Sequence, residues 1–322
     1  MSYEPLLKVE NLKTHFTLAK PHPLAKPKIV YAVDGISFEI ERGKTFGLVG
    51  ESGCGKSTTA MSVLRLVEPT AGSVILKGTD ICGMSQKELR KFRGNMQIIF
   101  QDPYSSMNPR TTAGEMIRTP MKIMNIGSEK EQQERVGDLL KLVGLRPEQR
   151  NLFPHQFSGG QRQRICVARA LAPQPDFIVC DEPVSALDVA IQAQILNLLV
   201  RLQDEFNLTY LFISHDMAVV QHICDDIAVM YLGKIVEKAD RRTLFMDVKH
   251  PYTQALLSAV PTIDVELQQI ATHLEGDVPS PISPPSGCYF HPRCPIAEKK
   301  CSEEEPQLRD IGAGHLVACH LV

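Results

Sequence analysis

Apolar and polar positions along this chain switch between two periods, and the switches divide it into segments. Leu6-Leu7-Lys8-Val9-Glu10-Asn11-Leu12 reads as a strand, and Ile29-Val30-Tyr31-Ala32-Val33 and Ile36-Ser37-Phe38-Glu39-Ile40 alternate as half-buried antiparallel strands do. Between the first two, Ala19 to Lys28 is rich in Pro and Lys and reads as an exposed loop. Thr45 to Val49 reads as a short buried strand, Phe177 to Glu182 as an apolar strand, and Met96 to Phe100 and Leu208 to Ser214 as strands. Helical spacing covers Thr58–Leu66, Gln86–Arg93, Ala113–Gly144, Gln161–Leu171 and Ile191–Phe206. Ile227–Tyr231 and Lys234–Glu237 form a hairpin about Leu232-Gly233, and Arg241–Asp247 and Pro251–Ala259 are short helices. The expected architecture is α/β, with an antiparallel β part ahead of a buried-strand core and a helical subdomain at about 102–172 inserted into it. Past Thr262 the composition changes, so the domains are expected at 1–262 and 263–322, the second opening on the Pro-rich, extended linker Val278–Pro285.

Composition narrows the class. Hydrophobic residues at 43% and charged residues at 22% are ordinary for a globular chain of 322 residues. A net charge of −2 argues against nucleic-acid binding through bulk positive charge. No run of eighteen apolar residues occurs, and the first residues lack a secretory signal, so a cytoplasmic location is expected. In that compartment the nine cysteines are not a disulfide framework.

The chemistry sits at segment boundaries. Gly50-Glu51-Ser52-Gly53-Cys54-Gly55-Lys56-Ser57 joins the strand Thr45–Val49 to the helix that carries Thr58. Glycines at this spacing let successive backbone N–H groups turn towards a polyphosphate, and the helix start adds partial positive charge. Lys56 can reach the outer phosphates, and the Ser57 hydroxyl can ligate Mg²⁺. About a hundred residues later, Ser158-Gly159-Gly160-Gln161 opens a second helix with a good cap and accessible N–H groups. The strand Phe177–Glu182 ends in two carboxylates. Asp181 is suited to hold Mg²⁺ through water, and Glu182 to polarise an attacking water. His215 ends the strand at 208–214 and can contact a terminal phosphate. Gln101 ends the strand at 96–100. Phe16 is the first choice, and Tyr31 the second, for an aromatic that stacks on a base.

Together with Ser185-Ala186-Leu187-Asp188, these motifs occur in the order and spacing of an ABC-type ATPase, and the chain resembles that family from Phe16 to about Glu237. Phe157 stands where the family's signature usually begins with Leu. Gln101-Asp102-Pro103-Tyr104-Ser105-Ser106-Met107-Asn108-Pro109-Arg110, His250-Pro251-Tyr252-Thr253-Gln254-Ala255-Leu256-Leu257 and the Cys-containing tail narrow the resemblance to ATP-binding subunits of bacterial dipeptide/oligopeptide importers. The resemblance implies a P-loop NTPase core of RecA-like type. It implies ATP hydrolysis with Mg²⁺ held by Ser57, Gln101 and Asp181, and catalysis by Glu182, His215 and Gln101. Residues Phe16, Gly50 to Thr58 and Ser158 to Gln161 would bind ATP. The implied partners are a second, homologous ATPase subunit in a head-to-tail heterodimer, two transmembrane permease subunits reached through the groove at Gln101–Arg110, and indirectly a peptide-binding protein. The implied location is peripheral, on the cytoplasmic face of the inner membrane. Dipeptides, oligopeptides, antimicrobial peptides and nickel complexes are all substrates of relatives. A soluble ABC ATPase is the competing reading, but such proteins usually carry long coiled coils or two cassettes in one chain.

Cys288, Cys294, Cys301 and Cys319 are separated by five, six and seventeen residues. Four thiols in a short tail suggest a metal staple, and this spacing alone leaves Zn²⁺, an iron–sulfur cluster and plain reduced thiols open. The family resemblance favours a structural [4Fe–4S] cluster.

Overall fold

The computed structural model describes residues 4–19, 27–258 and 276–322. Most of the loop expected at Ala19–Lys28, and the domain boundary at residue 262, therefore lie outside the described residues. The chain divides into two compact units. Met1–Ile40, Thr45–Cys82 and Ile213–Val322 form the first; Glu41–Lys44 and Gly83–Phe212 form the second.

The first unit opens with β1 (Leu7–Thr17), β2 (Ile29–Ile40), β3 (Thr45–Val49), α1 (Lys56–Val63), β4 (Ala71–Leu76) and β5 (Thr79–Asp80). A four-stranded antiparallel sheet runs β2-β1-β4-β5. The two strands expected at 29–33 and 36–40 are one continuous β2. Leu12 faces Ile36 and Lys13 faces Asp34, so Gly35 is the extra residue of a bulge. Its φ of +83° lets the strand bend and resume pairing instead of ending.

The second unit holds α2 (Gln86–Phe92), β6 (Met96–Ile99), α3 (Ala113–Met124), α4 (Glu129–Leu142), α5 (Gly159–Leu171), β7 (Phe177–Asp181), α6 (Val189–Phe206) and most of β8 (Thr209–Ser214). Its strands run β8-β7-β6, with β6 and β7 parallel. The helical stretch expected over 113–144 is two helices. Asn125 in the left-handed region ends α3, and Ser128 with Glu131 forms a reciprocal capping box that starts α4. Ile117, Leu140, Ile165, Val179 and Leu199 are buried core residues of this unit.

The chain then returns to the first unit as α7 (Met217–Ile223), β9 (Asp226–Tyr231), β10 (Lys234–Asp240), α8 (Arg241–Met246), α9 (Pro251–Ser258), α10 (Lys299–Glu303), β11 (Arg309–Asp310) and β12 (Leu316–Val317). Here β11-β12-β10-β9-β3 run side by side. β9 is parallel to β3 and the remaining pairs are antiparallel. The tail thus extends the same row of strands that carries the loop at Gly50–Ser57. The stretch at 278–285 is not a plain extended linker. Ser283 N–H donates to the Ser280 carbonyl at 3.1 Å, and Tyr31 N–H donates to the Pro281 carbonyl at 3.0 Å, so it turns and is tied to β2. Proline removes a donor but leaves its carbonyl free to accept, and this allows the attachment.

Candidate functional site

In the first unit, β3 is buried along its whole length and delivers the chain to the glycine loop. Gly50 and Gly55 have φ of +153° and +110°. A Cβ at Gly50 would lie 2.2 Å from the Met230 carbonyl oxygen, and one at Gly55 would lie 2.1 Å from that of Ala32. Both positions therefore need glycine for conformation and for space. Gly55 caps α1 without a side chain, and the first turn of α1 has no acidic residue. Its N-terminus is thus suited to an anion. The buried Lys56 ammonium curls back, donating to the carbonyls of Gly50 at 2.7 Å and Glu51 at 2.9 Å. Ser57 faces solvent. Cys54 is buried beside Lys56. Desolvation pushes its thiol pKa up against the pull of the ammonium, so it stays a neutral packing group. α1 starts at Lys56, two residues earlier than the apolar spacing suggests, because the helix begins directly at the glycine cap.

The other residues expected in this unit are Phe16, Tyr31 and His215. Phe16 lies on β1 opposite Val30 and is 40% exposed. Tyr31 packs edge-on against His15, with ring centroids 4.7 Å apart. His215 is exposed, directly after β8, and the following Asp216 caps α7 by accepting from the Ala218 N–H at 2.8 Å.

In the second unit, the parallel pairing of Ile99 with Cys180 places the ends of β6 and β7 side by side. This register brings Gln101 and Glu182 together: Gln101 Nε2 donates to Glu182 Oε2 at 2.9 Å. β7 ends at Asp181, which is 5% exposed, and Glu182 follows with a φ of +47°. A left-handed conformation at a non-glycine residue costs energy and redirects the side chain, and it recurs at functional sites. After Gln101, the Asp102 carboxylate accepts from the Tyr104 N–H at 2.8 Å. That bond holds its pKa below the usual range.

α5 begins at the second glycine motif. Ser158 accepts from the Gln161 N–H at 3.3 Å, and Gln161 Oε1 accepts from the Ser158 N–H at 3.0 Å. Ser158 and Gly159 remain exposed, and the first turn has no acidic residue. Gly160 is buried, and a Cβ there would approach Ile191 Cγ2 to 2.5 Å. Asp188 caps α6 by accepting from the Ile191 N–H at 3.0 Å.

Of the four tail cysteines, Cys301 is buried and Cys288, Cys294 and Cys319 are half-buried. Burial is the main cause that pushes Cys288 up to about 11, and Cys301, Cys319 and Cys294 add to it. Cys294 and Cys319 are raised in the same way, by burial first and then by neighbouring thiols. The donor set fits a four-thiolate centre in kind and number. Yet among the described residues no group of three or more His, Cys, Asp or Glu side chains is arranged to hold a metal ion.

One part of the loop's setting has no signal in the linear pattern. Arg293 reaches Glu51 from 242 positions along the chain, and Tyr252 accepts from the Glu51 N–H at 2.8 Å.

A glycine loop ahead of α1, a second open helix start at α5, and a strand ending in paired carboxylates define an ATP-binding cassette. Residues 33–185 match the ABC transporter family, and residues 236–301 match the oligopeptide/dipeptide transporter C-terminal region. The chain is 49% identical to the oligopeptide transport ATP-binding protein AppF of Bacillus subtilis, covering 99% of this chain and 98% of that one. Among solved structures it resembles the dimeric ATP-binding cassette MJ0796 in a post-hydrolysis state bound to ADP and Pi. That match has a TM-score of 0.65 and 29% identity, over 73% of this chain and 99% of that one. It also resembles CbiO1 of Clostridium perfringens, part of the CbiONQ ABC transporter complex. Here the TM-score is 0.64 and the identity 27%, over 76% and 91% of the two chains. The chain belongs to the ABC transporter family, among its oligopeptide and dipeptide transport ATP-binding proteins.

Proposed function

We propose that this protein is the ATP-hydrolysing subunit that energises uptake of dipeptides or oligopeptides through a membrane importer. The observation that carries this reading is the presence of two separate anion-accepting helix starts, α1 after Gly50–Gly55 and α5 after Ser158, neither with an acidic first turn. One polyphosphate needs one cradle, so the second helix start serves the ATP of a partner cassette. The dimeric form of MJ0796 supports that arrangement. In this reading Gly50 to Thr58 bind the phosphates, Phe16 stacks on the base, and Ser158 to Gln161 complete the partner's site. Ser57, Asp181 and Gln101 hold Mg²⁺, which neutralises phosphate charge when bound. Glu182 accepts the proton of the attacking water, and Gln101 orients Glu182 through their hydrogen bond. His215 contacts the terminal phosphate.

The partner cassette is read as a homologous subunit, and two permease subunits engage the loop at Gln101–Arg110. A peptide-binding protein delivers substrate to the permeases. The protein is read as peripheral, at the cytoplasmic face of the inner membrane, where it would meet the permeases. Among the described residues no helix is long and apolar enough to cross a membrane. For the tail we favour a structural [4Fe–4S] cluster on Cys288, Cys294, Cys301 and Cys319, with zinc as the alternative. Four thiols within one short tail support it in kind and number. Anaerobically purified protein that is colourless and free of iron and acid-labile sulfide rules the cluster out.

Glu182→Gln tests the central reading in the assembled importer. Loss of a general base costs roughly 10²–10⁴-fold in turnover. The variant is expected to retain bound ATP and barely hydrolyse it, and wild-type turnover would refute the role of Glu182.

A further inference from the structure

We infer that Arg293, carried by the C-terminal tail, is a positioning residue for the phosphate loop, acting through Glu51. This inference rests on the reading of Gly50–Ser57 as the phosphate site. Arg293 Nη1 donates to Glu51 Oε2 at 2.7 Å, and Nη2 donates to Oε1 at 3.1 Å. The Arg293 side chain is 5% exposed, and Glu51 is partly covered. Planar two-point pairing of this kind fixes orientation as well as distance.

The pair sits on an aromatic floor. The guanidinium carbon lies 5.9 Å from the centroid of the Tyr231 ring. Tyr231 packs edge-on against Tyr252 at 4.7 Å and Phe290 at 5.3 Å. Tyr252 in turn holds the other end of Glu51, its hydroxyl accepting from the Glu51 N–H at 2.8 Å. The Glu51 carbonyl accepts from Lys56 Nζ at 2.9 Å. All three polar groups of Glu51 are therefore held, two of them by groups outside the loop.

Two physical consequences follow. A loop rich in glycine has much conformational freedom to lose when its N–H groups converge on phosphate. Anchoring its first side chain reduces that loss before the ligand arrives. Second, Glu51 places a carboxylate in a loop whose proposed ligand is a polyanion. Arg293 neutralises that charge at hydrogen-bond distance, through both of its terminal nitrogens. Without Arg293, the loop would be looser and would carry an uncompensated negative charge. A tail that extends the sheet in this way supplies part of the loop's setting, and the local motif gives no sign of it.

The test measures binding of mant-ATP with Mg²⁺ to the full-length chain, with Lys56→Ala as the control for loss of the loop. Arg293→Ala is expected to weaken binding about tenfold, and Arg293→Lys, which keeps charge but not two-point pairing, about threefold. In a Glu51→Gln background there is no carboxylate to neutralise, so Arg293→Ala is expected to add less than twofold. A tail that serves only general stability would give the same factor in both backgrounds. That result, or unchanged affinity in Arg293→Ala, overturns the inference. If Arg293→Ala fails to fold, Arg293→Lys in the two backgrounds carries the comparison. Wild-type protein that binds no nucleotide overturns the loop reading and this inference together. Wild-type binding with insensitive variants overturns only the role of Arg293.

Discussion

Glu237 offers the sharpest test of how the tail is held. It lies in β10 between Val229 of β9 and Val317 of β12, and it is fully buried. Its Oε1 accepts from the Lys249 N–H at 2.8 Å and from His315 Nε2 at 2.8 Å. Its Oε2 accepts from the His250 N–H at 3.1 Å. One side chain thus ties β10 to the α8–α9 connection and to the tail. Glu237→Ala leaves two backbone N–H groups and a histidine without their acceptor. Each orphaned buried group costs about 1–3 kcal/mol. The three share one acceptor, so their costs do not simply add. The expected loss for Glu237→Ala is about 4 kcal/mol, a large share of the roughly 5–15 kcal/mol typical of a folded domain. Glu237→Gln keeps one acceptor oxygen and is expected to cost about half as much. The chain has no tryptophan, so urea unfolding is best followed by far-UV circular dichroism and tyrosine emission. A loss below about 1 kcal/mol for Glu237→Ala would refute the argument. Equal losses for the Ala and Gln variants would refute it too.

Three further outcomes can be checked. Burial pushes the His250 pKa from 6.5 down to about 4. In the fold its Nδ1 accepts from the Tyr252 N–H at 3.1 Å, a bond that needs the neutral ring. As pH falls below 6.5 the unfolded chain takes up the proton before the folded one does. Stability is therefore fully present above 6.5 and is lost progressively towards 4, by about 3 kcal/mol in total. Urea midpoints measured across that range should fall less steeply for His250→Gln, and an unchanged slope would remove His250 from the account. Gly55→Ala places a Cβ 2.1 Å from the Ala32 carbonyl oxygen at a φ of +110°. Nucleotide affinity should drop at least tenfold, and wild-type affinity would show that the loop does not need this conformation. Ser158→Ala removes the cap of α5 and should cost about 1 kcal/mol of stability. It should leave mant-ATP binding by the isolated chain intact while lowering turnover in the assembled importer. Loss of binding in the isolated chain would contradict a role at the partner's ATP.

Much of the site was legible because its chemistry is local. The glycine loop, the open start of α5 and the two carboxylates at the end of β7 are each written within a few neighbouring residues, and the α/β alternation follows from short-range periodicity repeated along the chain. Their backbone consequences follow from glycine, from caps and from periodicity. The bulge at Gly35 was less legible, since a bulge is a property of two strands in register and the pattern of one strand does not contain it. The hydrogen bond between Gln101 and Glu182 is of the same kind: both strand ends can be read singly, but their meeting depends on the parallel register of β6 and β7.

The tail marks the boundary between the two sources of information most clearly. By itself the sequence determined that the chain carries a glycine-rich loop ahead of a helix, a second glycine motif that opens another helix, and four late cysteines, because residue type and spacing are enough to fix each of them. Only the tertiary structure decided that the tail adds strands to the row of β10, β9 and β3, and that Arg293 returns to Glu51. Contacts between residues 242 positions apart leave no periodic trace in the chain. They arise because burying the aromatic floor of Tyr231, Tyr252 and Phe290 brings an arginine and a carboxylate out of water together, where each is stable only with the other.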